Sequence, residues 1–505
     1  MKGVISSGDK STSSAGAKIL ANGGNSFDAV CAAMLVSPLS EPMLTSLGGG
    51  GFLMTHEESK GAQLHDFFVD VPPSRCKEKN FFPIDVDFGN TVQEFHIGTA
   101  SIAIPGVLKG IYEIHQKKGR LPFADVVQPA IDAATNGIYL SKMQASFVKL
   151  LEPILTSTKH SKEIFMKDGA LIDHTHLFKN PEYAQFLKEF VKQGDKIFYK
   201  GSVAYEIEEL CKKSGGDLRR DDLKNYKVIQ REPIEFNFKD YEILTNTTPS
   251  AGGILIAFAL KILEKQDLGS FGSDKHISNL IEAMVTTSDF RHEHINEFLH
   301  KEGVANILKN EPLMESYLKA FKNRVNLWGN TTHISVLDKD GNAATVTTTN
   351  GEGSGIIAPN TGIMLNNMLG EEDLNPHGFF SWPSGVRLPS MMAPTLVLKD
   401  KVPQMVLGSA GSNRIRSAIT QSILNYTIFG HDIEEVCVER RMHFEKGQLF
   451  FEPGFDKHVI DIAKEHYNVT IFDEKSVFFG GVNAVTHELK GGSDPRRGGA
   501  TICVE

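Results

Sequence analysis

The chain has 505 residues, 41% hydrophobic and 23% charged, the balance of a soluble globular protein. Its formal net charge of −9 and the lack of a long basic run argue against nucleic-acid binding. No stretch approaches the roughly 18 apolar residues of a membrane helix. Five scattered cysteines (Cys31, Cys76, Cys211, Cys437 and Cys503) form no CxxC pair, so neither a zinc site nor a disulfide framework is expected. Nothing of signal-peptide length and apolarity follows Met1, which predicts a cytoplasmic location with reduced thiols.

Residues 13–22 read as a helix stopped by Gly23-Gly24, and 28–36 as a second, buried and Ala-rich, ending before Pro38. In Ser46-Leu47-Gly48-Gly49-Gly50-Gly51-Phe52, neither Gly-Lys-Ser/Thr nor GxGxxG spacing supports a phosphate cradle. A tight, closely packed turn into a strand fits better. Residues from about 120 to 325 are mostly helical in pattern, with an amphipathic run over 183–193. Residues 241–246 read as a strand and 249–253 as a loop opening a long helix.

The pattern changes near residue 330. Residues 332–337 alternate as a half-buried strand should, Asp340-Gly341 signals a hairpin, and 343–349 form a second β-rich run. A short strand over 404–407, a tight loop over 408–413 and a helix with Ile415, Ile419 and Ile423 on one face follow. Grouped helices and strands of this kind suggest layered sheets covered by helices rather than alternating βα units.

Asn330-Thr331-Thr332-His333 carries the chemistry. A threonine hydroxyl needs a base to become a nucleophile. A free α-amine, with a reference pKa of roughly 7.7–8.0, is such a base near neutral pH. Thr331 holds both groups once the chain is cut at Asn330–Thr331, and its own hydroxyl is suited to make that cut by attacking the preceding carbonyl. Restricted χ1 freedom at a β-branched residue keeps the hydroxyl on line. His292-Glu293-His294 has part of a zincin pattern, but Asn296 stands where the second ligand belongs, and a solvated charged helix is the better account. Asn330-Thr331-Thr332 is formally a glycosylation sequon, without function in a protein that meets no glycosylation machinery.

Several motifs in order resemble the gamma-glutamyltranspeptidase family: Gly23-Gly24-Asn25 with Asp28-Ala29, Glu41-Pro42, the Gly48–Phe52 turn, Pro105-Gly106, the 249–253 loop and Thr331-Thr332-His333-Ile334-Ser335. Asp338-Lys339-Asp340-Gly341-Asn342, Leu365-Asn366-Asn367, Ala393-Pro394-Thr395, the 408–414 loop and Asp494-Pro495-Arg496-Arg497 complete the series. The resemblance implies an α+β fold, the four-layer αββα sandwich of N-terminal-nucleophile hydrolases. Its large segment would be 1–330 and its small one 331–505, held in one intertwined unit. It further implies acyl transfer from a small-molecule gamma-glutamyl amide through an ester on Thr331, with no metal or organic cofactor. The expected partners are the two fragments themselves as a heterodimer, with further dimerisation left open.

By the same resemblance Thr349 supports the nucleophile, and the backbone N–H groups of Gly411 and Ser412 form the oxyanion hole. That loop opens the Ile415 helix, whose N-terminal N–H groups and dipole favour negative charge. The donor pocket departs from the pattern. Phe68 stands where the family has an arginine for the donor's α-carboxylate, Met368 replaces a glutamine, and of two adjacent serines Ser390 remains while Met391 replaces the other. Glu371 or Glu372 would take the donor's amine, and Asn350 would touch substrate. The pocket is therefore expected to be more apolar than the family's. The rival expectations are an amidase or acylase with a non-glutamyl donor, and a catalytically silent, uncleaved binding protein.

Overall fold

The structure, a computed structural model, describes the chain apart from residues 88–91, 296, 297, 302, 311 and 314–330. From the N-terminus come β1 (Gly3–Ser7), α1 (Lys10–Ala21), α2 (Ser26–Ser40), β2 (Gly50–Glu57) and β3 (Gly61–Asp66). A mainly helical region leads to β4 (Ile229–Arg231), β5 (Ile234–Phe238), β6 (Tyr241–Thr245), α3 (Gly252–Glu264) and α4 (Asp274–Phe290). Beyond residue 330 lie β7 (Thr332–Asp338), β8 (Ala343–Thr349), β9 (Thr395–Lys399), β10 (Val402–Ala410), α5 (Arg414–Thr427), β11 (Gly481–Thr486), β12 (Gly491–Ser493) and β13 (Ala500–Val504).

Two antiparallel sheets result, one in the order β4-β3-β2-β8-β7-β1-β13, the other β5-β6-β9-β10-β11-β12. β7 and β8 pack across onto β10, α1 and α2 cover the outer face of the first sheet, and α5 covers the second with α3 and α4 behind it. This is the four-layer αββα sandwich. Strand alternation sends residues to two separate cores. Ile334, Val336, Val346 and Leu53 join Val30 and Leu35 of α2, whereas Phe52 and Met54 join Leu407, Val482 and Ile415. Among the described residues no helix is long and apolar enough to cross a membrane.

Three expectations need correction. Helix α2 does not stop before Pro38 but runs through it to Ser40. Proline cannot donate to the Met34 carbonyl, and Ser37 Oγ donates to it instead at 3.1 Å. At its other end Asn25 and Asp28 form a reciprocal capping box, so that motif is a helix start. Strand β10 is longer than expected and absorbs Gly408, Ser409 and Ala410, which leaves only Gly411–Asn413 as loop. Strand β7 is buried on both faces rather than half-buried. Its polar positions meet the second sheet instead of water: Ser335 Oγ donates to Asn483 O at 3.2 Å, and beside it on β8 Thr345 Oγ1 donates to Leu407 O at 3.3 Å.

Candidate active site

The site grows from one end of the β7–β8 hairpin. Asp340-Gly341 makes the turn at the other end, where Asp338 Oδ1 accepts from the Asp340 and Asn342 N–H groups and Gly341 takes φ +78°. Pairing of Thr332 with Thr348 then brings Thr331 opposite Thr349 where the strands finish. Both face the layer between the sheets, in line with His333, Ser335, Thr345 and Thr347. His333 lies in that layer: Nδ1 is 2.8 Å from Thr347 Oγ1, and Nε2 is 2.9 Å from Ser335 Oγ and 3.0 Å from Thr345 Oγ1. Its ring fills the space a side chain at Gly408 would need, since a Cβ there would lie 2.2 Å from Cε1. Burial drives its pKa down to about 3, so His333 is a neutral structural group rather than the base.

Thr331 is 5% exposed, and Arg497 Nη1 donates to its carbonyl at 3.3 Å. On the helix side of β7, Thr332 Oγ1 donates to Glu41 Oε2. Burial first, and Asp9 second, push the Glu41 carboxyl up to about 8. Thr349 Oγ1 accepts from the Gly351 N–H at 3.0 Å. Gly411 (φ +115°) and Ser412 (φ +49°) occupy left-handed backbone just before α5, and Ser412 Oγ donates to Asp373 Oδ2 at 2.7 Å.

A cleft opens here. Of the residues expected from the sequence, it is lined by Thr331, Thr349, Ser412, Glu371, Ser390 and Phe68. Phe68 is buried and stacks on Phe52 at 5.5 Å between centroids, and Ser390 Oγ accepts from the Met392 N–H at 3.0 Å. Gly411 and Asn350 flank the cleft without lining it, and Glu372 is exposed outside it, so Glu371 is the acid of that pair in the cleft. Glu371 Oε1, Glu352 Oε2 and Asn350 Oδ1 are buried acceptors with no hydrogen-bond donor among the described residues. Burial, then Asp373, raise Glu371 to about 8, and burial with the Glu371 charge raises Glu352 well above the usual range. Asn330 lies outside the described residues, as does Asn296. His292 and Glu293 are exposed, and no cluster of metal-ligating side chains occurs among the described residues.

Two charged residues of the cleft were missed in the sequence. Asp373 holds Ser412, and its carboxyl is raised by burial and then by Glu445. Arg291 follows α4 in one wide turn over Arg291–Ile295. Its Nη1 donates to Asn413 Oδ1 at 2.9 Å and stands 4.0 Å from Glu445 Oε1. Phe68, Met391 and Met392 line the cleft, with a guanidinium among them. No local signal marked Arg291, because a charge at a helix end beside His292 and Glu293 reads as solvated surface.

The layered fold is the architecture of the N-terminal-nucleophile hydrolases. The family model described as gamma-glutamyltranspeptidase matches residues 12–504, and the chain belongs to that family. It is 27% identical to the glutathione hydrolase proenzyme of Escherichia coli (strain K12), over 98% of this chain and 90% of that one. It is also 27% identical to the acylase ACY 1 proenzyme of Pseudomonas sp. (strain V22), over 97% and 90% of the two chains. A crystal structure of cephalosporin acylase from Bacillus halodurans superposes with a TM-score of 0.87 over 100% of this chain and 96% of that one; at 20% identity the likeness is one of fold. The chain is thus an enzyme, not the catalytically silent binding protein held as a rival.

Proposed function

We propose that the protein is made as a precursor, cuts itself between Asn330 and Thr331, and then hydrolyses or transfers the acyl group of gamma-glutamyl-type amides. The carrying observation is the meeting of Thr331, Thr349 and Ser412 in one cleft. Thr331 Oγ attacks the amide carbonyl while its α-amine takes the hydroxyl proton, and the N–H groups of Gly411 and Ser412 stabilise the oxyanion. The C–N bond breaks, the leaving amine receives the proton, and an ester remains on Thr331. Water or an acceptor amine opens that ester and restores the hydroxyl. Thr349 orients the nucleophile. Glu371, with Glu352 and Asn350 behind it, offers buried acceptors to the ammonium of the acyl group. Relatives named as glutathione hydrolase proenzymes support this reading.

A second reading, an acylase for another donor, draws support from the apolar wall of Phe68, Met391 and Met392 and from the relatives named as acylases. One experiment tests the chemistry for both. Purified protein is run on a denaturing gel and assayed on gamma-glutamyl-p-nitroanilide, and Thr331→Ala should stay full-length and inactive. A Thr331→Ala chain that still matures at this bond would disprove self-cleavage by its hydroxyl.

A further inference from the structure

We infer that Glu41 is a positioning residue: its carboxyl, buried at the start of β7, holds Thr331 in reacting position by gripping the side chain of Thr332. The inference rests on the reading of Thr331 as the nucleophile. β1 pairs with β7 only from Ile334 onward, so Thr332 and His333 have β8 on one side and no β1 partner among the described residues on the other. β1 ends at Ser7, and Gly8 and Asp9 lead the chain away into α1. The Glu41 carboxyl stands in that gap. It accepts from Thr332 Oγ1 at Oε2 and, at 3.1 Å, from Thr12 Oγ1 of α1 at Oε1. Gly8 passes so close that a Cβ there would collide with Glu41 Oε2 and lie 2.9 Å from Thr332 Oγ1.

Glu41 is itself fixed. It caps the C-terminal end of α2, its N–H donating to Ser37 O at 2.7 Å and its carbonyl accepting from Leu44 at 2.9 Å and Thr45 at 3.3 Å. Thr45 Oγ1 lies 2.9 Å from Thr348 Oγ1, and Thr348 is the register partner of Thr332. Residues 41–45 thus grip both members of the last pair of the hairpin from the helix side. Successive strand residues point to opposite faces, so fixing 332 and 348 on one face sets how 331 and 349 are presented on the other. Asp9 and Arg497 are the charged groups that act on the carboxyl, and burial with Asp9 leaves it un-ionised near neutral pH. An uncharged acid with its hydrogen bonds made can fill a dry gap that a lone carboxylate could not.

The contact can be broken from either end. Thr332→Val removes the hydroxyl at nearly constant size, and Glu41→Met removes the acceptor at similar length; Thr332→Ser and Glu41→Gln keep a donor and an acceptor. Processing is followed on a gel, integrity by thermal unfolding, and kcat per processed chain on gamma-glutamyl-p-nitroanilide. Thr332→Val and Glu41→Met should each mature slowly and lose kcat about ten- to a hundredfold with KM unchanged, the effect of a displaced reacting group. The double variant should be no worse than either single one, and Thr332→Ser and Glu41→Gln should stay close to wild type. A folded, processed Thr332→Val enzyme with wild-type kcat overturns the inference. So does a Thr332→Ser enzyme as impaired as Thr332→Val, or a double variant in which the two losses multiply. Hydrogen exchange on the peptide covering 331–338 reads the same anchor without turnover: it should quicken in Thr332→Val and Glu41→Met and stay slow in Thr332→Ser. An inactive wild type with that exchange pattern keeps the anchor and defeats the proposed chemistry, whereas an active wild type without it defeats the anchor.

Discussion

Replacing Gly49 with alanine should disable the site without reaching into it. A Cβ on Gly49 would lie 2.1 Å from the Thr349 carbonyl oxygen, 3.0 Å from its carbonyl carbon and 3.2 Å from Asn350 Cα. Ordinary contact begins at 3.4 Å, so 3.4 − 2.1 = 1.3 Å of separation has to be found. All three neighbours are backbone, and none can swing away as a side chain would. Gly49 itself is held, its N–H donating to Ser46 O at 3.1 Å and its carbonyl accepting from Gly106 at 2.9 Å and Val107 at 3.2 Å. The end of β8 must therefore move. Overpacking of this kind costs about 1–3 kcal/mol of stability, and a displacement of about 1 Å at a reacting group costs on the order of a hundredfold in rate. The assay is a gel for processing, thermal unfolding for integrity, and kcat on gamma-glutamyl-p-nitroanilide. Gly341→Asn is the control: nothing lies within 4 Å of its Cβ position, and asparagine tolerates the φ of +78° found there. A processed, folded Gly49→Ala enzyme with wild-type kcat would refute the placement of the chemistry at the end of β8.

Further predictions concern individual groups. Thr349→Ala should lower kcat tens-fold or more in a correctly processed enzyme, because one lost transition-state hydrogen bond is worth about 1.5–3 kcal/mol; unchanged kinetics would remove Thr349 from the site. His65 and His333 are buried, and burial, helped at His65 by Lys118, lowers each pKa to about 3. With an unfolded value near 6.5, the unfolded chain binds the extra protons, so stability is full above about pH 6.5 and falls as pH drops toward 3. At pH 5 each group accounts for roughly 1.36 × 1.5, about 2 kcal/mol, of the loss. Chemical denaturation of His65→Gln at pH 7 and pH 5 should show a pH-dependent loss smaller than wild type's by about that amount, and an identical loss would exclude His65 as a contributor.

Local patterns made much of the scaffold legible. Asp340-Gly341 announced the hairpin that sets Thr331 against Thr349, and Ile415, Ile419 and Ile423 announced the helix that Ser412 precedes. Alternation along β7 was read correctly as a strand but wrongly as a wet one. Its polar residues, His333 and Ser335, bond to Thr345, Thr347 and Asn483 in a dry layer, and period-two alternation cannot tell hydroxyls that meet water from hydroxyls that meet each other. Helix α2 outran Pro38 because a neighbouring serine hydroxyl stood in for the missing N–H. Arg291 and Asp373 were invisible for a different reason. Each acts through a loop far off in the chain, Arg291 through Asn413 and Asp373 through Ser412, and neither carries a signature until the fold brings those partners together.

Strand β7 lies in the interior of its sheet, between β1 and β8. A chain opened just before Thr331 would therefore have a new end that enters the β8 ladder at Thr332 and the β1 ladder at Ile334. The sheet also takes β1, β2, β3 and β4 from before the opening and β7, β8 and β13 from after it. The two pieces would share one hydrogen-bonded fabric and part only by unravelling it. Once unfolded, they would have to find each other again as a second-order encounter, where the intact chain folds as one body. Recovery of the nicked protein from denaturant should then depend on its concentration, whereas recovery of the uncut Thr331→Ala chain should not. In such a molecule the cut is a ratchet: it leaves the folded state undisturbed and makes the road back to it slower with every dilution.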